Sequence, residues 1–441
     1  METPAIPLPN DARERDILEK LTAIRDQLLL LKGDRTNYIR SQDVMLLYDQ
    51  VIEQVRQLNL IRKTVDKGEN RLDRVLESCF QLLSLFFMTI GRTTEAPAAY
   101  ALTSTIKRLL DHLTEAQLFS AKDLNSMAHT LRTLDGILSN TESQHSPYLA
   151  ELLSNRVELC KASLAKLQQK LNQLDEPLQA IHEKLISILR SMSLANTKAK
   201  FSTSEVQKLQ AQLKEIDESR VDGKFVGPDG KPLAGSDAES ELLKRCLLWS
   251  DIVLERKGVI PEAFRPQYEI LIGIRNDLDK LSLTQAWSLR ETDLYDYQRQ
   301  LDRIDESRVD GNWLDDEGKP AELYVQRTLL HLIRRSYGYI YYLMISSEPV
   351  SEALLPIYNQ LQTLKRCLLE VKNSGGVSSV RELYPYSMKL NSIDNMRVDG
   401  KFMVGNDIPE GQGNVSELLA ECFELNYELR VAAEEQAGDE T

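Results

Sequence analysis

The chain has 441 residues, of which 42% are apolar and 27% charged, and it carries a net charge of −13. That apolar content supports a full hydrophobic core, and the acidic balance excludes broad nucleic-acid binding and an anionic membrane as the main partner. Aromatic residues make up only 6%, and the abundance of Leu, Gln, Glu, Lys and Arg predicts helices rather than sheets. The five cysteines form no CxxC pair, so reduced thiols and a cytoplasmic location, with the nucleus as a further compartment, are expected. Met1–Asn10 lacks the basic start and apolar stretch of a secretory signal. The longest strongly apolar run, Leu82–Met88, is too short for a bilayer, so no membrane insertion is expected.

Taken in order, residues 1–12 (with Pro4, Pro7 and Pro9) are expected to be a disordered tail. A first helical unit, 14–92, has amphipathic segments at 17–31, 41–62 and 70–90, with Val65-Asp66-Lys67-Gly68 as a short connection. A second, 95–173, uses 98–113, 120–134 and 147–171. Its middle helix carries Leu124, Met127, Leu131 and Leu134 and is expected to stop at Asp135-Gly136. Units at 176–258, 261–346 and 349–433 follow, and residues 434–441 form an acidic tail.

The last three units share a middle helix with apolar residues three, four and three apart. These are Val206, Leu209, Leu213 and Ile216; Leu294, Tyr297, Leu301 and Ile304; and Leu383, Tyr386, Leu390 and Ile393. That spacing lines one face of a helix. Ser202-x-x-Glu205 and Ser379-x-x-Glu382 have the form of helix-starting capping boxes, and Pro261 suits a first helical turn. The expected fold is all-α: about five tandem three-helix repeats forming helical bundles or an elongated helical array.

Each of these middle helices runs into one phrase. It reads Ile216-Asp-Glu-Ser-Arg-Val-Asp-Gly-Lys-Phe225, Ile304-Asp-Glu-Ser-Arg-Val-Asp-Gly-Asn-Trp313 and Ile393-Asp-Asn-Met-Arg-Val-Asp-Gly-Lys-Phe402, with copies 88 and 89 residues apart. Regular recurrence of this kind marks a repeat architecture. Asp222-Gly223, Asp310-Gly311 and Asp399-Gly400 are turn signals, because glycine tolerates positive φ and the Asp side chain bonds nearby backbone. Phe225, Trp313 and Phe402 are expected to anchor the loop between helices. Arg220, Arg308 and Arg397 can reach helix-end carbonyls or Asp217, Asp305 and Asp394. Two readings follow. The phrase is an interhelix clamp, or its Arg and Lys side chains (Lys224 and Lys401, replaced by Asn312 in the middle copy) bind a phosphate or carboxylate. In two copies a second turn follows, Asp229-Gly-Lys-Pro232 and Glu317-Gly-Lys-Pro320, and a short hairpin fits it.

Cys79, Cys160, Cys246 and Cys422 fall at similar places in third helices, as expected of small core residues, and Cys367 is expected to be buried as well. His112, His129, His145, His182 and His331 show no metal-ligand spacing, and no phosphate-loop or dinucleotide motif occurs, so no metal, cofactor or catalytic residue is assigned. The third helix of the fourth unit stands apart, with Tyr324, His331, Arg334, Arg335, Tyr337, Tyr339, Tyr341 and Tyr342. Tyr and Arg are favoured at binding hot spots, which makes this helix an interface candidate, with a central core helix as the plainer reading.

The triplicated Arg-Val-Asp-Gly phrase among Leu-rich helices resembles a fungal family of uncharacterised cytoplasmic proteins known as a domain of unknown function, over about Asp16 to Leu429. The resemblance implies a fungal, cytoplasmic protein and supplies no catalytic residue. A non-enzymatic scaffold for unidentified protein partners is therefore expected, with a module for a small anionic ligand at the motif loops as the alternative.

Overall fold

The computed structural model describes residues 7–62, 70–141 and 145–439. Among these, fifteen α-helices follow one another: α1 (Ala12–Gly33), α2 (Ser41–Ile61), α3 (Arg71–Thr89), α4 (Ala99–Ala116), α5 (Ala121–Thr141), α6 (Pro147–Asn172), α7 (Glu176–Asn196), α8 (Thr203–Glu218), α9 (Ser236–Arg256), α10 (Arg265–Ser288), α11 (Leu294–Glu306), α12 (Leu323–Ile345), α13 (Leu355–Asn373), α14 (Tyr384–Asp394) and α15 (Gln412–Asp439). The described strands are two short ones, β1 (Arg397–Val398) and β2 (Lys401–Phe402). The protein is all-α, and no described helix is long and apolar enough to cross a membrane.

In each successive run of three, the third helix packs along the first: α1 with α3, α4 with α6, α7 with α9, α10 with α12 and α13 with α15. Cysteines mark this contact. The thiol of Cys79 lies 3.6 Å from the Leu21 carbonyl, that of Cys160 3.9 Å from Thr103 and that of Cys422 3.5 Å from Leu361, each on the first helix of its run. A small side chain lets the two backbones approach, and its S–H satisfies a carbonyl whose lone pairs face the core. Burial pushes the Cys79 and Cys246 thiols up to about 12 and those of Cys160 and Cys422 to about 11, which removes them as nucleophiles. Cys367, expected inside, is exposed: it lies on the outer face of α13, away from the Leu361–Leu368 stripe.

The apolar spacing of the middle helices is spent as its period requires. Val206, Leu213, Leu294, Leu301 and Leu390 are fully buried, and Ile216, Leu383 and Ile393 nearly so. Each such side chain contributes about 1.5–3 kcal/mol relative to exposure. One continuous apolar cluster runs from Ile17 to Met344, and a second, from Val350 to Ala433, belongs to the last three helices. At the centre of the first lies α12, which touches α4, α7, α9, α10 and α11.

The two clusters meet where Arg290 bonds Glu352 at 2.6 Å and the Asp34 carbonyl at 2.7 Å. Backbones approach closely there. A Cβ at Gly91 would lie 2.6 Å from the Ser351 nitrogen, and one at Gly411 2.7 Å from Val350 Cα.

Several local expectations need correction. Helix α5 does not stop at Asp135-Gly136 but continues to Thr141, because Leu138 is buried in the core and a lone glycine costs only about 1 kcal/mol in a helix. Residues 7–12 are not a free tail: Arg71 donates to the Pro7 carbonyl, Arg15 to that of Pro9, and Asp11 caps α1. Helix α15 carries the chain through 434–439 rather than ending at Ala433. Pro261 precedes a short 3-10 turn, Glu262–Phe264, that leads into α10. Ser202 caps α8 through the Glu205 N–H, but Glu205 turns away to Lys198, leaving half a capping box. Val65-Asp66-Lys67-Gly68 lies outside the described residues.

Candidate functional site

The three repeated phrases form the same object. After α8, α11 and α14 the chain turns through a two-residue hairpin, with Val221 paired to Lys224, Val309 to Asn312 and Val398 to Lys401. At the tips, Asp222, Asp310 and Asp399 have φ of 49°, 48° and 49°, and Gly223, Gly311 and Gly400 have 77°, 78° and 76°. Two successive residues at positive φ define a mirror-image tight turn whose twist matches a hairpin, and Asp-Gly is among its preferred sequences. A second turn follows in every copy, closed by Val226 with Pro232, Leu314 with Pro320 and Val404 with Asp407.

The aromatic after each turn is sealed inside, with Phe225 3%, Trp313 1% and Phe402 1% exposed. Its backbone is held by the start of the next helix. Ser236 Oγ accepts from Phe225 N at 2.8 Å, Gln326 Oε1 from Trp313 N at 3.2 Å and Gln412 Oε1 from Phe402 N at 2.9 Å. Both glutamines also donate back to the same aromatic's carbonyl. These brackets satisfy backbone groups that no regular strand serves. The available signal was a polar residue, ten to thirteen positions after the aromatic, opening a Leu-rich helix.

Each motif arginine turns back onto the helix it follows. Arg220 bonds Asp217 and the Gly223 carbonyl, and Arg397 bonds Asp394. Arg308 pairs with Asp305 at 2.8 Å and Glu115 at 2.7 Å, and lies 5.4 Å from the Trp313 ring centre. Lys224 sits 3.4 Å from Asp237 at the surface, and Lys401 is exposed.

The middle copy is set in a buried polar network. His112 Nε2 lies 2.9 Å from Asp305, Tyr337 donates to Asp302 at 2.6 Å, and Arg108 stands between Asp302, Asp305 and Glu306. Burial alone would raise Asp305, but the His112 contact and the nearby arginines outweigh it and hold its carboxyl low. Burial dominates at Asp302 and pushes it up against the pull of Arg108. None of His112, Arg108 or Asp302 stood out in the sequence, because their partners lie about 200 positions away.

The aromatic-basic helix α12 divides by face. Tyr324 and Tyr337 are core residues: Tyr324 stacks on Trp249 at 5.9 Å and donates to Asn196 at 2.8 Å. Arg335 and Tyr342 are exposed, and Tyr339 bonds both Arg335 and Asp279. His331 and Arg334 are half-buried on a third face. The other buried histidine of note, His182, lies between Glu239 at 3.0 Å and the Phe119 carbonyl at 2.8 Å. Burial opposes its charged form, but these two acceptors outweigh burial and raise its pKa. Among the described residues no group of three His, Cys, Asp or Glu side chains is arranged to hold a metal.

A family described as a protein of unknown function (DUF2408) matches residues 171–291 and 347–440, segments that contain the first and third hairpins. A CUB1 family protein of Schizosaccharomyces pombe, C30C2.08, is 38% identical over 437 residues, covering 97% of this chain and 94% of that protein. The Cu(2+) suppressing and bleomycin sensitive protein 1 of Saccharomyces cerevisiae is 36% identical over 509 residues, covering 97% of this chain and 92% of that one. No solved structure matches. With near-complete coverage by these fungal relatives, the chain belongs to the CUB1 family.

Proposed function

We propose that the protein is a non-enzymatic helical scaffold that binds a protein partner through its last three helices. The observation that carries this reading is an apolar, aromatic face on α14 and α15. Tyr384, 64% exposed, lines a groove with Val380, Arg381, Asn426 and Arg430, and Met388 and Tyr427 on the same two helices are 53% and 65% exposed. Tyrosine, methionine and arginine are enriched at protein interfaces, and clustered exposed apolar side chains mark them. The motif arginines support the same reading from the other side, since each is already engaged by an internal carboxylate.

The test places a photo-crosslinking residue at Tyr384, at Tyr427 and, as a control, at Lys166 on α6, in the full chain added to a fungal extract. One shared protein adduct at the first two positions, absent at Lys166 and lost in folded Tyr384→Ser/Tyr427→Ser protein, supports the scaffold. Adducts that are the same at all three positions, or a double variant that still captures the partner, contradict it.

A further inference from the structure

Helix α12 carries Arg327, His331 and Arg334 at positions i, i+4 and i+7, one face of the helix and about 10 Å of its length. All three are half-buried, and other helices add cations toward them. Burial disfavours the charge of Arg334, Glu115 favours it, and Arg190 of α7 and Arg308 of the middle hairpin oppose it. Arg275 of α10 and Arg190 act likewise against a charge on His331, and Arg245 of α9 against that of Arg327. Two of these neighbouring arginines already hold carboxylates: Arg190 holds Asp123, and Arg308 holds Glu115 and Asp305.

Arg327 has no carboxylate partner among the described residues; its guanidinium lies 5.6 Å from the Trp249 ring centre. The hydrogen bond of Arg334 goes to the Leu330 carbonyl of its own helix. The Nε atoms of Arg245 and Arg308 and the Nε2 of His331 are sealed from solvent with no partner. Burial and the neighbouring arginines push Arg334 down to about 10 and His331 to about 3. Arg327 and Arg334 share one half-covered helix face with no carboxylate bonded to either among the described residues, an arrangement that is unfavourable unless something negative joins them. There is also room. One turn beyond Arg334 on the same face, a Cβ at Gly338 would meet nothing within 4 Å.

The geometry points to an anion-binding groove along the Arg327, His331 and Arg334 face of α12, opening at Gly338, that takes a small molecule bearing two or three linked phosphates. Guanidinium forks match phosphate oxygens bidentately, and the Trp249 ring lies within cation–π range of Arg327. Compactness argues for a small ligand over a nucleic acid or an acidic polypeptide. The cations span two turns of one helix, and a long polyanion would then run across a protein whose net charge is −13. This groove is separate from the α14–α15 face and does not depend on the scaffold reading.

The experiment is titration calorimetry of the full chain with inorganic triphosphate and, separately, with a nucleoside triphosphate, at low and physiological salt. Saturable binding of one equivalent is expected, weakening as salt rises. Arg334→Gln and Arg327→Gln should each weaken it at least tenfold, and Arg397→Gln, in the third hairpin, should leave it unchanged. Gly338→Leu keeps every charge and replaces a helical glycine, so it should fold at least as well while blocking the groove. Equal affinity for both probes assigns recognition to the phosphates, and tighter nucleoside triphosphate binding adds a base contact; either supports the groove. No binding to wild type, or affinity unchanged in Gly338→Leu and Arg334→Gln, overturns it.

Discussion

The second and third motif hairpins share the same Asp-Gly tight turn and the same Arg-Val-Asp-Gly core, yet they do different work. Around Arg308 the fold has closed a roof: α4 brings Glu115, Arg108 and His112, and Asp305 is 5% exposed. Around Arg397 there is no such roof, and both it and Asp394 are about one-third exposed. The hairpin is thus a local construction dictated by Asp-Gly and the buried aromatic. The energetic weight of its arginine comes from elsewhere in the chain. A conserved-looking phrase inside one protein can be a clamp in one copy and little more than a surface ion pair in another.

Six substitutions sharpen that contrast. The anchors should be nearly equal: Trp313→Ala and Phe402→Ala each remove a fully buried ring, at about 3–5 kcal/mol by denaturant unfolding. The arginines should not be. Arg308→Ala removes one partner of the buried Asp305, which keeps His112 and Arg108, and frees Glu115; it is expected to cost about 1–3 kcal/mol. Equal again are the tips, where Gly311→Ala and Gly400→Ala force a side chain to positive φ, at roughly 1–2 kcal/mol each. Arg397→Ala should cost about 0–1 kcal/mol, because its pair is screened by water.

Acid should separate the copies too. The carboxyl of Asp305 is held low in the fold, so its contribution is present above the usual unfolded value of about 3.9 and is lost as pH falls through the lower folded value. An acid titration of the first apolar cluster should therefore steepen below about pH 4 and flatten in Asp305→Asn. At the other end, His182 is raised. Its stabilisation is complete below its unfolded value of about 6.5 and fades as pH rises through the folded one, a slope that His182→Gln should abolish.

Much of the fold was legible. The three-four-three spacing located α8, α11 and α14, and Asp-Gly gave the turn, because both are properties of a few consecutive residues. Gly136 misled for the same reason: a stop signal read locally was overruled by Leu138 packing inside. The network at Asp305 was out of reach, since His112 and Arg108 join it only once α4 lies against α11 and α12. On α12, the sequence displayed the tyrosines and arginines together. Only packing sorted Tyr324 and Tyr337 into the core and left Arg327, His331 and Arg334 on one partly covered face.

Hydrogen–deuterium exchange on the full chain, comparing wild type with Arg308→Ala and Arg397→Ala, tests the contrast most directly. Loss of protection reaching from the second hairpin into α4 and α12 in Arg308→Ala, against change confined to the third hairpin in Arg397→Ala, is the predicted result. Equal, local loss in both variants would contradict it, and would mean that the roof over Arg308 carries no coupling.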